Sequence, residues 1–187
     1  AGSNKANELL RSGSVDVGST AGSAALFARA NGSPIKVIDI YSQPEWSAIV
    51  VGPDSDITSI EDLKGKQVAA TKATDPYFFL LQALEAGGLS LDDVTVQNVQ
   101  HADGRALLDG GSVDAWAGLA PLMGAAEPAS GAQLISRNVA SNTHGFLHAP
   151  ADFLDTPADP PPLAVATPAQ PRPSALRRAA PTLPLPP

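Results

Sequence analysis

An α/β fold, with strands and helices alternating along the chain, is what this sequence predicts. Three observations predict it: short apolar stretches bounded by polar turns, small-residue segments with helical spacing closed by glycine, and a compositional break after Thr156 that sets a folded body apart from a proline-rich end. With 187 residues, 43% hydrophobic and 17% charged, the chain is long enough for one domain or slightly more and for a real core.

Taken in order, Leu9 and Leu10 fall in a short helix stopped by Gly13, Val15 and Val17 in a brief strand, and Thr20 to Ala30 in a small-residue helix closed by Gly32. Strands follow at Ile35 to Ile40 and Ser47 to Val51. Ser59-Ile-Glu-Asp62 has capping-box spacing and starts one helical turn that ends at Gly65. Val68 to Thr71 is a strand. Thr74-Asp75-Pro76 then supplies a cap and a first-turn proline for a helix from Tyr77 to Ala86, with Gly87-Gly88 as its stop. A strand at Val94 to Val99, a helix at Ala102 to Leu108, a strand at Val113 to Trp116, a helix at Pro121 to Glu127 and a strand at Gln133 to Ser136 complete the alternation. Helices of this length between strands act as crossovers, which predicts a largely parallel sheet with helices on its faces.

The run Leu9-Leu10-Arg-Ser-Gly13-Ser14-Val15-Asp16 recurs as Leu107-Leu108-Asp-Gly-Gly111-Ser112-Val113-Asp114. The separation is too long for a solenoid repeat, so the echo marks corresponding positions in two similar α/β lobes, though Gly-Ser-Val-Asp is also common turn chemistry. Loops at the carboxyl ends of strands are where open α/β sheets place their ligands.

Composition excludes several classes. The net charge of −7 with dispersed Lys and Arg argues against a nucleic-acid partner, and no apolar run is long enough to cross a bilayer. The absence of cysteine removes disulfides, thiolate metal sites and cysteine nucleophiles. The opening Ala1-Gly-Ser-Asn-Lys5 is too polar for a signal peptide. Eleven of the eighteen prolines lie between Pro157 and Pro187, where periodic apolar spacing ends, so this stretch is expected to be a disordered or polyproline-like tail, either a recognition arm or a non-native, out-of-frame ending.

Two helix starts are candidate ligand sites: Gly18-Ser19-Thr20-Ala21-Gly22 and Lys72-Ala73-Thr74-Asp75-Pro76-Tyr77. Each follows a strand and offers hydroxyls with unpaired N–H groups at the positive end of a helix dipole. Capping alone explains either one. Two of them, in lobes that can face each other, favour a shared oxyanion. Asp75 argues locally against an anion unless its carboxylate turns away to cap the helix. Trp116 either packs in the core or covers the apolar part of a ligand, and Trp46 is read as core or surface. His144 and His148 sit in a strand-like stretch and do not converge on a metal, and His101 stands alone. No nucleophile elbow, phosphate loop or paired acid and base is present, and Asp92-Asp93 is explained by capping.

Three runs together carry a family resemblance: Leu9-Leu-Arg-Ser-Gly-Ser-Val-Asp-Val-Gly18, Ser59-Ile-Glu-Asp-Leu-Lys-Gly-Lys-Gln-Val-Ala69 and Val113-Asp-Ala-Trp116. Over about residues 6–154 the chain resembles the substrate-binding proteins of sulfonate, taurine and nitrate ABC importers. The resemblance implies a type II periplasmic binding fold that closes two lobes over a small anion and delivers it to a membrane permease. It also implies a monomer outside the cytoplasm, with no cofactor. It assigns residues 1–45 to part of the first lobe, 46–140 to the second, 141–156 to the return into the first, and 157–187 to the tail. The ligand-facing positions it implies are Ser19, Thr20, Trp46, Ser47, Thr74, Asp75, Tyr77 and Trp116, while Asp62 to Lys66 is a scaffold turn. Such proteins begin with a further strand and helix and continue past the second hinge, so the first lobe is expected to be incomplete. Two other readings stand beside transport: an enzyme on the same fold, such as a desulfinase or a pyrimidine-forming enzyme, and an inactive fragment.

Overall fold

The computed structural model describes residues 2–155, so the proline-rich stretch expected at 157–187 lies outside the described residues. In chain order come α1 (Ser3–Arg11), β1 (Gly18–Ala21), α2 (Gly22–Ala30), β2 (Ile35–Ser42), β3 (Ser47–Val51) and β4 (Gln67–Ala70). Then follow α3 (Asp75–Ala86), β5 (Thr95–Asn98), α4 (His101–Asp109), β6 (Ala115–Leu119), α5 (Leu122–Ser130), β7 (Gln133–Arg137), β8 (Gly145–Pro150) and α6 (Ala151–Asp155). No helix among the described residues is long and apolar enough to cross a membrane.

The strands form two sheets. A three-stranded sheet has the order β1-β8-β2, with both pairings antiparallel, and a five-stranded sheet has the order β5-β4-β6-β3-β7. In the larger sheet β4 runs parallel to β5 and β6, but β3 is antiparallel to both β6 and β7. The sheet is therefore mixed rather than largely parallel. The cause is local: β3 arrives straight from β2 without a helical crossover and enters against the direction of its neighbours.

Both faces of the larger sheet are covered. Ile49, Val51, Val68 and Ala115 pack on one side with Phe79, Leu80 and Leu84 of α3. Ala48, Val50, Ala69 and Trp116 pack on the other with Leu108 of α4 and Met123 and Ala126 of α5. A strand buried on both faces needs no polar alternation, which is why Ser47-Ala-Ile-Val-Val51 is apolar after its first residue. The smaller sheet is less enclosed. Ile35 and Ala149 are buried, while Val37, Ile38 and Ile40 of β2 remain substantially exposed.

The repeated sequence has a common structural basis. At the end of α1, Ser14 N–H donates to Leu9 O at 3.0 Å and Gly13 N–H to Leu10 O at 3.2 Å. After α4, Ser112 N–H donates to Leu107 O at 2.8 Å and Gly111 N–H to Leu108 O at 3.0 Å. Both are Schellman closures, and Gly13 (φ 68°) and Gly111 (φ 67°) occupy the left-handed position the motif requires. The strand expected at Val15 and Val17 nevertheless begins at Gly18, and the helix expected from Thr20 begins at Gly22. Pairing of Gly18 to Ala21 with His148 to Gly145 sets that boundary, and a distant partner of this kind leaves no mark on the local pattern.

Candidate functional site: a polar cluster where the two sheets join

Two crossing segments join the sheets, residues 43–46 between β2 and β3 and residues 138–144 between β7 and β8. They are bonded to each other. Ser47 N–H donates to Asn142 Oδ1 at 2.9 Å, the Trp46 indole N–H to Thr143 O at 2.7 Å, and Arg137 and Glu45 form a two-bond ion pair at 2.6 and 3.0 Å. The Arg137 guanidinium holds the Glu45 carboxyl below its ordinary value. Asn142 itself is 4% exposed, and its side-chain N–H donates to Asn138 O at 2.8 Å.

At this joint the start of α2 meets the start of α3. Asp75, only 4% exposed, does not cap its own helix. Its Oδ1 accepts from the Ser23 hydroxyl of α2, and its Oδ2 accepts from the Thr143 hydroxyl at 2.8 Å and the Thr143 N–H at 3.3 Å. The Thr143 oxygen accepts in turn from Gly22 N–H, the first residue of α2, at 2.7 Å. The Asp75 carboxylate does not turn back to cap α3, the one arrangement that would have removed its local argument against an anion: it reaches across to the other sheet's helix, because donors there satisfy both its oxygens. Thr74 is fully enclosed, and its hydroxyl donates to Thr71 O at 2.6 Å instead of capping α3. Ala73 just before it holds φ 62°, a left-handed value that a non-glycine residue adopts at a cost.

The other expected ligand-facing residues are dispersed. Thr20 is buried and its hydroxyl bonds His148 Nε2, whereas Ser19 points to the opposite face of β1 and bonds the Tyr41 hydroxyl at 2.6 Å. Tyr77 packs on the α3 core, edge-on to Phe78. Trp116 is 1% exposed and lies against Gly104 of α4, a packing position in this conformation. Ser47 is fully buried with no hydrogen-bond partner for its hydroxyl. It shares a strand face with Ile49 and Val51, which pack against α3, so alternation places it on the α3 side.

Several residues at the joint escaped the sequence reading. Ser23 lies one residue past the quoted helix-start motif, and Asn142 and Thr143 sit in the return segment, whose polar turn character was the one available signal. His101 makes a second contact between the parts. A side chain at Gly2, just before α1, would collide with His101 Nε2 and crowd Asn4 Oδ1, both buried and unpartnered. The Thr71 hydroxyl donates to Val99 O at 2.7 Å and lies 3.1 Å from His101 Nδ1, so Nδ1 is the donor and Nε2 a bare acceptor. Burial pushes the His101 imidazole down to about 4 and lowers that of His148 as well. No group of three or more His, Asp or Glu side chains among the described residues is placed to hold a metal ion.

The joint is therefore a partly buried polar cluster that holds a buried carboxylate by neutral donors. Comparison with known proteins gives the frame. A family model described as NMT1/THI5 like matches residues 1–140. The chain is 33% identical over 142 residues to the putative aliphatic sulfonates-binding protein of Escherichia coli (strain K12), a match covering 75% of this chain and 44% of that protein. The solved periplasmic aliphatic sulphonate binding protein SsuA of Escherichia coli superposes with a TM-score of 0.71 at 31% identity, over 81% of this chain and 50% of the other. The alkanesulfonate-binding protein SsuA of Xanthomonas axonopodis pv. citri, bound to MOPS, gives 0.75 at 31% identity over 82% and 53%. The chain thus spans about half the length of these relatives. With its mixed sheets, its two crossing segments and these likenesses, the chain belongs to the NMT1/THI5-like family and carries part of a periplasmic binding protein fold.

Proposed function

We propose that the chain is part of the solute-binding component of an ABC importer, working outside the cytoplasm and binding a small organosulfonate-type anion where the two sheets join. Residues 1–45 and 141–156 then belong to one lobe and 46–140 to the other, with the two crossing segments as hinge. The observation that carries this is the joint itself: the Ser23 and Thr143 hydroxyls and the Gly22 N–H, from one lobe, converge on the buried start of α3, from the other, and neutral dipoles arranged in this way stabilise a negative charge. Its similarity to proteins named for sulfonate binding supports the choice of anion. In this reading Ser23, Thr143 and the Gly22 N–H hold sulfonate oxygens, with the unpartnered Ser47 hydroxyl as a further donor, while Thr20 is engaged by His148 and Thr74 by Thr71 O. Trp46, at the hinge, is the aromatic nearest the carbon chain, and Ser19, Tyr77 and Trp116 act behind this layer. The protein binds as a monomer without a cofactor and hands its ligand to a membrane permease.

Calorimetric titration of the chain with ethanesulfonate, taurine, nitrate and sulfate tests this. A saturable heat with a sulfonate, larger than with nitrate or sulfate, is expected. No heat from any of the four removes the proposal.

A further inference from the structure

The Asp75 carboxylate is buried between two helix starts and receives only neutral donors: Ser23 Oγ–H on one oxygen, Thr143 N–H and Oγ–H on the other. Among the described residues no Lys or Arg pairs with it. A desolvated negative charge with no countercation persists only where the surrounding dipoles point at it, and here they do, with the first N–H of α2 relayed through the Thr143 hydroxyl. The cluster is thus an anion receptor that already holds an anion. A second unused donor comes from the segment bonded to this cluster: the Ser47 hydroxyl is fully buried, without a partner and on the α3 side of its sheet, and the Ser47 N–H donates to Asn142, the neighbour of Thr143.

Resting on the sulfonate reading above, we infer that Asp75 is an internal occupant of the oxyanion receptor and determines which anions this chain accepts. A sulfonate has three oxygens on one centre. Placed at the joint, it takes the donors of Ser23 and Thr143 and gives the Ser47 hydroxyl an acceptor, but it cannot share the space with a like charge. Binding therefore requires the Asp75 side chain to leave. An anion with too few acceptor oxygens to replace the carboxylate on every donor gains nothing by displacing it. Asp75 also ties α2 to α3, so the same side chain that excludes weaker anions holds the two helix starts together and sets the affinity.

The experiment measures ethanesulfonate binding by calorimetry to the full chain and to its Asp75→Asn and Asp75→Ala variants, each checked for a cooperative melt. Both variants should bind at least tenfold more tightly than the parent while melting at a lower temperature when empty. Folded variants that bind no more tightly overturn the inference and leave the sulfonate reading intact. No binding by any of the three chains overturns both. A measurement independent of the variants uses the parent labelled with carbon-13. Saturation with ethanesulfonate should move the Asp75 carboxyl resonance and the Thr143 amide together, and a bound state in which neither moves overturns the inference alone.

Discussion

β3 is buried at all five of its positions, whereas β2, which precedes it by four residues and also carries four aliphatic side chains, is buried only at Ile35. The charges of Lys36 and Asp39 do not account for the exposure of Val37, Ile38 and Ile40. What separates them is company: β3 lies between β6 and β7 with helices over both faces, while among the described residues β2 is an edge strand paired with β8 alone. Lys36 and Asp39 and two register shifts against β8 roughen that edge, as open edges require. The free energy of folding is accordingly concentrated in the five-stranded sheet.

The strongest way to break this comparison is to cut both strands' surroundings equally. Leu80→Ala, at a fully buried position under β3, should cost about 2–5 kcal/mol. Ile40→Ala, at a side chain 55% exposed, should stay within about 0.5 kcal/mol. Urea midpoints read both, and equal losses would mean that β2 is covered in solution.

Acid provides a second, somewhat smaller test. His101 is held neutral by burial with its value lowered from 6.5 to about 4, so folding favours the unprotonated ring. Its contribution is complete above pH 6.5 and lost as pH falls toward 4, a difference on the order of 3 kcal/mol if the whole shift is expressed. His148 acts in the same direction from the smaller sheet. Unfolding curves at pH 7 and pH 4.5 should show a shallower loss for His101→Gln than for the parent, and parallel losses would refute the assignment.

The mildest test sharpens the likeness between the two regions. Gly13 and Gly111 both have positive φ and open space where a side chain would go, so alanine at either meets backbone strain alone. Each substitution should cost about 1 kcal/mol, and a clear inequality in thermal melts would show that the echo is chance.

Much of this architecture was legible in the residues. Glycine stops placed the ends of α1, α3 and α4, and Ser90 with Asp93 forms the capping box that explains the Asp92-Asp93 pair. At Asp62, too, the carboxylate accepts from Thr58 and Ser59, which lowers its pKa and accounts for the turn. The strand boundaries of β1 and the direction of β3 were not legible, because each depends on a partner about a hundred residues away or on a connection's path. The site was half legible for the same reason. Thr74 and Asp75 announced a helix start, but nothing local told that the carboxylate would find Ser23 and Thr143, residues with no motif of their own.

Trp46 and Trp116 are the two tryptophans of the chain, and their placements give it a built-in optical gauge. Trp116 is sealed in the larger core, while the Trp46 indole is fastened from one crossing segment to Thr143 O of the other. Any parting of the two sheets at the joint would strip that hydrogen bond and wet one ring only. Intrinsic fluorescence would therefore report such a parting, with no added dye and with the buried ring as an internal standard in the same molecule.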